Sequence, residues 1–202
     1  MRLVLVTIFV ATLFSAGLGF YATNAYSEDK MEEKTGQVME TAENADKAPY
    51  DVQFIDTMVL HHRSAISMAK LAAAKTANPQ LKELSNKIVT QQTVEITEME
   101  KLRAATYPST ERAENMELTG MKTSIEDMDM KKLEEAEGTN FDKLYIQMMV
   151  THHRGGIAMA NDASKKVNGK LTANRLAALA KKMADTQTAE IAQLESIYKG
   201  IE

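Results

Sequence analysis

A histidine-containing stretch of helical periodicity occurs twice in the chain, and this duplication constrains the fold more than any other feature. Residues 54–69 return in altered form as residues 145–160, so that His61, His62 and Met68, among others, each have an identical residue 91 positions later. The two stretches contain all 4 histidines of the protein. The chain is therefore predicted to contain two similar halves, each centred on a pair of adjacent histidines.

Both histidines of a pair fall on the inner face of a predicted helix. At about 100° per residue, His61 and His62 share one broad stripe with the thioethers of Met58 and Met68 and with several alanines. Such a stripe normally faces the core of a helical protein. Imidazoles and thioethers that point inward together favour a metal site. The alternative is that the histidines are hydrogen-bonded core residues and that the methionines fill gaps in the packing.

Turn signals divide the chain into four long helices. The 3 prolines lie at predicted element boundaries, and apolar residues recur at helical spacing over about residues 51–77, 79–103, 140–167 and 171–198. The first two helices form one antiparallel hairpin (50–103) and the last two form another (140–199), joined by a methionine-containing connection (104–139). A helix of about 26 residues is about 39 Å long, a distance that this connection can cross. The prediction is an all-α four-helix bundle over residues 49–202, with a long crossover between the hairpins.

The N-terminal segment is predicted to direct export. Arg2 precedes an apolar run, and the residues that end at Ala25 serve as a small-residue cleavage site. Residues 1–25 are therefore a signal peptide, or an N-terminal membrane anchor if they are not cleaved, since the run is just long enough to span a bilayer. Residues 26–48 are predicted to be a polar, acidic tether. The protein is expected in the periplasm or outside the cell.

The composition excludes some classes of function. The net charge is −4 and no basic patch is visible, which argues against nucleic-acid binding. The chain has no cysteine, so a soft-metal site has to use thioether sulfur and imidazole, which avoid the disulfide chemistry of an oxidising compartment. No protein partner is indicated, and contact with a membrane is expected only through an uncleaved N-terminal segment.

The second helix of each hairpin carries a polar interruption in its apolar face, a Gln-x-x-Glu segment that ends at Glu95 and again at Glu190. In an antiparallel hairpin that folds near residue 79, His62 lies level with Glu95, and the same calculation places His153 beside Glu190. A buried carboxylate is costly unless it has a partner. Each glutamate is therefore expected to accept the ring N–H of a ligating histidine, or to bind metal itself.

These motifs resemble those of a known family. The pattern Met-x-x-His-His-x-x-(Ala/Gly)-Ile-x-Met-Ala, followed by Gln-x-x-Glu-Ile and present twice behind an export segment, resembles the bacterial domain-of-unknown-function family numbered 305. The resemblance covers roughly residues 48–200, and it implies a ferritin-like four-helix bundle that binds copper or silver ions. It further implies a set of metal ligands: Met58, His61, His62, Met68, Met148, Met149, His152, His153 and Met159.

Ligand softness narrows the choice of metal. Thioether with imidazole suits Cu(I) and, by extension, Ag(I), whereas imidazole with carboxylate or water suits Cu(II). The connection adds four methionines outside any apolar periodicity. We expect them to be exposed. They are candidates for weak auxiliary Cu(I) or Ag(I) sites, although a flexible linker is the plainer account: Met116, Met121, Met128 and Met130.

Enzyme signatures are absent from the sequence. A ferritin-like di-iron site requires Glu-x-x-His motifs, and none occurs in the chain; the Gly-x-Ser-x-Gly elbow of a hydrolase is missing as well. Three hypotheses remain. The favoured one is an exported copper-binding protein, not an enzyme, that serves metal sequestration or resistance. The others are a metal-free structural or partner-binding bundle and a metal-dependent redox enzyme.

Overall fold

The structure, a computed structural model, describes residues 40–126, 128–166 and 171–201. The predicted export segment and residues 26–39 of the predicted tether lie outside the described residues. Within the part of the chain that is described, none of the helices is both long and apolar enough to cross a membrane.

The helices confirm the prediction of two hairpins. In chain order they are α1 (Tyr50–Lys75), α2 (Pro79–Thr106), α3 (Met121–Glu126), α4 (Met130–Glu135), α5 (Gly138–Lys166) and α6 (Leu171–Lys199). The turn between α1 and α2 shows why the sequence predicts where these helices end and begin. The side-chain oxygen of Asn78 accepts the backbone N–H groups of Gln80 and Leu81 at 3.0 and 3.1 Å, and Pro79 occupies the first helical position, where no N–H is needed.

The connection crosses the length of the bundle. Tyr107, just after α2, donates a hydrogen bond to Asp51 at the start of α1 (3.0 Å). Lys75, the last residue of α1, donates to Glu137, just before α5 (2.9 Å). Hence α5 begins beside the end of α1 and runs antiparallel to it, while α2 and α6 contact each other on the opposite side. This is the predicted crossover, and the fold is an all-α, ferritin-like four-helix bundle.

Two groups of buried apolar side chains fill the two ends of the bundle, and each draws on all four long helices. The Met58 cluster consists of Phe54, Ile55, Met58, Val59, Met99, Met116, Leu118, Met121, Met159, Ala160, Ala163, Leu176, Ala180, Met183 and Ala184. The Met68 cluster consists of Ala65, Met68, Ala69, Ala72, Leu81, Leu84, Ile88, Leu133, Phe141, Tyr145, Ile146, Met148, Met149, Val150 and Leu194. Burial of each large side chain contributes about 1.5–3 kcal/mol, so the two hairpins stabilise each other.

A buried carboxylate anchors the start of the connection. Asp56 on α1 is 1% exposed. It accepts hydrogen bonds from Arg103 at 2.6 and 3.0 Å, from Arg112 at 2.8 Å and from the backbone N–H of Ala113 at 3.0 Å. Because these donors come from α2 and from the connection, the one carboxylate joins both to α1.

The methionines of the connection pack against the bundle. Met116 and Met121 are buried members of the Met58 cluster, and Met128 and Met130 are partly buried against the Met68 cluster. The expectation that these four side chains are exposed is therefore wrong. The connection lies along the bundle, and its thioethers supply apolar surface that the long helices alone leave uncovered.

The described end of the predicted tether also packs against the connection. Ala45 is buried against Val52 and Ala113, and the backbone N–H of Ala42 donates to a carbonyl of the connection at 2.8 Å. The packed part of the chain thus begins before α1.

Candidate metal centre

The four histidines form one buried group at the middle of the bundle. All four side chains are 0% exposed. The rings of His61 in α1 and His152 in α5 have centroids 3.8 Å apart and an interplanar angle of 30°. We call these two the inner histidines. The outer histidines, His62 and His153, have ring centroids 6.0 and 6.2 Å from those of their inner neighbours. The two sequence motifs therefore meet in a single histidine cluster.

Each outer histidine is held by a glutamate from the second helix of its own hairpin. Nε2 of His62 lies 2.9 Å from Oε2 of Glu95, and Nε2 of His153 lies 2.9 Å from Oε2 of Glu190. Both carboxylates are buried, at 3% and 1% exposed. The predicted level pairing of histidine and glutamate is therefore present in both hairpins. Because an ionised carboxylate only accepts hydrogen bonds, the proton of each outer imidazole lies on Nε2.

The inner histidines hydrogen-bond across the hairpins. His61 donates through Nε2 to the backbone carbonyl oxygen of His152 at 3.0 Å, and Oγ of Ser124 lies 3.1 Å from the same nitrogen. Nε2 of His152 lies 2.7 Å from Oγ of Ser64, and this hydroxyl donates to the carbonyl oxygen of His61 at 2.7 Å. The inner imidazoles thus also carry their proton on Nε2. Neither serine belongs to the predicted site, although Ser64 follows His61 by one helical turn.

Nδ1 of every histidine remains without a hydrogen-bond partner among the described residues. With the proton on Nε2, each Nδ1 carries a lone pair. The histidine cluster therefore contains four buried lone pairs. A neutral imidazole nitrogen of this kind is a common metal ligand.

Burial lowers the pKa of both inner histidines well below the usual value of 6.5. For His61, desolvation is the main cause and the neighbouring His62 adds to it, while the hydrogen bond to the His152 carbonyl opposes it. For His152, desolvation again comes first, followed by His61 and His153. Both rings are therefore neutral at neutral pH, which is the form that binds metal.

Two adjacent glycines in α5 make room for the inner histidines and for the connection. A Cβ atom on Gly156 would lie 2.6 Å from Cε1 of His61 and 2.4 Å from Oε1 of Gln187. On Gly155, it would lie within van der Waals overlap of Ser124 and 2.4 Å from the carbonyl oxygen of Gly120. Side chains at these positions are therefore excluded, and α3 packs directly on the backbone of α5 beside the cluster.

Two glutamines place further polar atoms without partners in the core. Gln92 and Gln187 are each 1% exposed, and neither their amide nitrogens nor their oxygens have a hydrogen-bond partner among the described residues. Oε1 of Glu190 shares this property. Both glutamines come from the duplicated Gln-x-x-Glu segment, but neither is in the predicted ligand set. Because buried polar groups are costly unless satisfied, these amides are suited to contact a bound ion or water.

The motif methionines lie on both sides of the histidine cluster. Met58 and Met159 belong to the Met58 cluster, and Met68, Met148 and Met149 belong to the Met68 cluster. Met58 and Met149 occupy equivalent positions in the two sequence motifs, but the fold places them at opposite ends of the bundle. Antiparallel packing of α1 and α5 causes this exchange, because it brings the start of one motif beside the end of the other.

A metal site made of histidine and carboxylate side chains is not preformed in the described part of the chain. There, no three histidine, aspartate or glutamate side chains converge as a metal site. The donors present are imidazole Nδ1 atoms and thioethers, with carboxylates already engaged by Nε2. This donor set fits a soft ion better than zinc or iron.

The chain matches a known family over most of its length. The model of DUF305, described as a domain of unknown function, matches residues 21–103 and residues 51–198. No curated protein matches the chain.

Solved structures of CopM share the fold. The Cu(I)-bound form is 27% identical in sequence, and the match covers 76% of this chain and 98% of CopM, with a TM-score of 0.60. The Cu(II)-bound form is 30% identical over 74% of this chain and 96% of CopM, with a TM-score of 0.61. The Ag-bound form obtained by co-crystallisation is 29% identical over the same shares of the two chains, with a TM-score of 0.60.

Proposed function

The chain belongs to the DUF305 family, and from this premise and the geometry of the histidine cluster we propose that it is an exported copper-binding protein. It binds Cu(I) and Cu(II), and also Ag(I), in the core of the bundle, and so sequesters the metal or confers resistance to it. The likeness to CopM, whose structures hold these ions, supports this proposal.

The observation that carries the proposal is the set of four buried Nδ1 lone pairs. A buried polar atom without a partner costs about 1–3 kcal/mol. A purely structural core gains nothing by gathering four of them, together with two unpartnered glutamine side chains. A bound ion offsets this cost, because the lone pairs become its ligands.

The proposed ligands are the Nδ1 atoms of His61, His62, His152 and His153 and the thioethers of the motif methionines. Imidazole serves both oxidation states of copper, and thioether favours Cu(I) and Ag(I). The ligating methionines are Met58, Met68, Met148, Met149 and Met159. The connection methionines are auxiliary: the partly buried Met128 and Met130 are accessible to an ion from solvent, whereas Met116 and Met121 require the Met58 cluster to open.

The inner histidines decide how many sites the core has. Since the rings of His61 and His152 are 3.8 Å apart, an ion held by one pair lies next to the other pair. We therefore expect one shared core site rather than one independent site in each hairpin. Glu95 and Glu190 orient the outer imidazoles and increase their basicity through the Nε2–H hydrogen bonds.

Export is part of the proposal because of the N-terminal segment. A basic residue followed by an apolar run is typical of a signal peptide, and an oxidising compartment accounts for a soft-metal site without cysteine. The protein is proposed to act in the periplasm or outside the cell, with the metal ion as its ligand.

The test is metal titration of the purified protein and of histidine variants. Cu(I) is titrated against a competing chelator under reducing conditions, and Cu(II) and Ag(I) separately, with ligand identity read by X-ray absorption. Either double variant, His61→Ala with His62→Ala or His152→Ala with His153→Ala, should abolish core binding if the site is shared. Circular dichroism verifies that each variant is folded.

Three results would contradict the proposal in different ways. Retention of metal by the unaltered hairpin in each double variant would replace the shared site with two sites. Parent-like copper affinity in a folded variant without any of the four histidines would refute the core site altogether. Oxygen consumption with an electron donor by the copper-loaded protein would favour a redox enzyme over a binding protein.

A further inference from the structure

The two inner histidines are held in unequal ways. His61 donates directly to the backbone carbonyl of His152 at 3.0 Å. His152 reaches the backbone carbonyl of His61 only through the hydroxyl of Ser64, by two contacts of 2.7 Å each. A carbonyl cannot be removed by substitution and always accepts. The hydroxyl is a side chain, and it is the hydrogen-bond partner of His152 Nε2 in the described structure.

The direction of the hydrogen bonds follows from the chemistry of the groups. Ser64 has one hydroxyl proton, which it donates to the His61 carbonyl, so that its oxygen accepts from His152. Without this oxygen, both ring nitrogens of His152 would be buried and unpartnered, because Nδ1 already lacks a partner. The ring proton would then have no reason to prefer Nε2.

We infer that Ser64 is a positioning residue that holds His152 in the Nε2–H tautomer and thereby presents its Nδ1 lone pair to copper. Only the part of this inference that concerns copper binding rests on the proposed function. The hydroxyl works from the opposite hairpin, so α1 sets the donor atom of a ligand in α5.

The second motif shows why only one inner histidine needs a serine to fix its tautomer. The residue that corresponds to Ser64 is Gly155, and the space of its missing side chain is taken by Ser124 of α3. Oγ of Ser124 lies 3.1 Å from Nε2 of His61, but His61 already has the carbonyl acceptor. Ser124 therefore offers a matched control: a serine hydroxyl beside an inner histidine whose tautomer does not depend on it.

The experiment compares Ser64→Ala with Ser124→Ala in the metal-free protein and then with Cu(I). Nitrogen-15 NMR of the imidazoles distinguishes protonated from bare ring nitrogens, and only four histidines contribute signals. Ser64→Ala should lose the predominance of the Nε2–H form at His152, whereas Ser124→Ala should keep that form at His61. Ser64→Thr retains a hydroxyl and should restore the parent spectrum.

The copper step has its own expected result. Loss of a group that orients a ligating histidine typically lowers metal affinity 10–100-fold, so Ser64→Ala should bind Cu(I) about 10-fold or more weakly and Ser64→Thr about as tightly as the parent. An unchanged His152 tautomer in Ser64→Ala would overturn the inference. So would a changed tautomer with unchanged copper affinity, since Nδ1 would then not be the ligand.

A failure of the proposed function is distinguishable from a failure of this inference. If the parent protein binds no copper, the copper proposal fails, while the NMR comparison in the metal-free protein still decides whether Ser64 sets the tautomer. Substitution by alanine is favourable within a helix, so Ser64→Ala is expected to fold.

Discussion

Replacement of Glu95 by glutamine tests how the carboxylates act on the metal centre. The substitution keeps the shape of the side chain and an oxygen that can accept from His62 Nε2, but it removes the charge. Hydrogen bonds to charged groups contribute about 1.5–3 kcal/mol and those between neutral groups about 0.5–1.5 kcal/mol. We therefore expect Glu95→Gln to lower the free energy of unfolding of the metal-free protein by about 1 kcal/mol, measured by urea denaturation.

The same substitution at Glu190 should differ in stability but not in copper binding. Its hydrogen bond to His153 has the same length, 2.9 Å, but its second oxygen, Oε1, is buried without a partner among the described residues. Glutamine would place at this position an amide nitrogen that also has no partner, and an unsatisfied buried amide is costly, so Glu190→Gln should destabilise the metal-free protein more than Glu95→Gln. In both variants, copper affinity should fall 10–100-fold because the imidazole becomes less basic and less well oriented.

Glu98→Gln provides the control for both variants. Glu98 lies on the same helix as Glu95, is about half exposed, and contacts Lys182 at 3.4 Å. Exposed ion pairs contribute at most about 1 kcal/mol, and the recorded partner of the Glu98 carboxylate is Lys182 of α6, not a histidine. Its copper affinity should equal that of the parent. Parent-like copper affinity in both Glu95→Gln and Glu190→Gln would refute the idea that the carboxylates act on the metal through the outer histidines.

Three further predictions concern pH, the connection and its methionines. Because the pKa values of His61 and His152 are lowered in the folded state, the unfolded chain binds more protons than the folded chain below pH 6.5. The unfolding free energy of the metal-free protein should therefore decrease as the pH is lowered below that value, by up to about 1.4 kcal/mol per pH unit for each histidine. A urea midpoint that stays constant between pH 7 and 5 would contradict this. Asp56→Asn should destabilise the protein by about 3–5 kcal/mol, since it leaves Arg103 and its neighbours without their buried carboxylate; proteolysis should then cut the connection first, and an unchanged cleavage pattern would argue against the anchor. Leucine at all four connection methionines should lower the unfolding free energy by less than about 1.5 kcal/mol for each substitution and lower the bound Cu(I) or Ag(I) count. An unchanged count would make these thioethers packing groups only.

Relations between residues close in the chain were accessible from the sequence. The pairing of His62 with Glu95 depends on a short turn and on the rise of the helix, so counting from residue 79 was enough to find it. The crossover followed from the length of the connection. Burial of Met116 and Met121 was not accessible in this way, because a segment without apolar periodicity gives no sign of the surface on which it lies.

The amino-acid sequence alone thus determines the helices, their inner faces and the contents of each hairpin, since periodicity and turn chemistry act over a few residues. The contacts between hairpins arise only in the folded bundle: the ring contact of His61 with His152, the hydrogen bond from His152 to Ser64, and the placement of Met58 with Met159. These groups lie far apart in the chain and in antiparallel helices. Their meeting depends on which apolar faces bury the most surface when the connection crosses the bundle, and no local pattern contains that information.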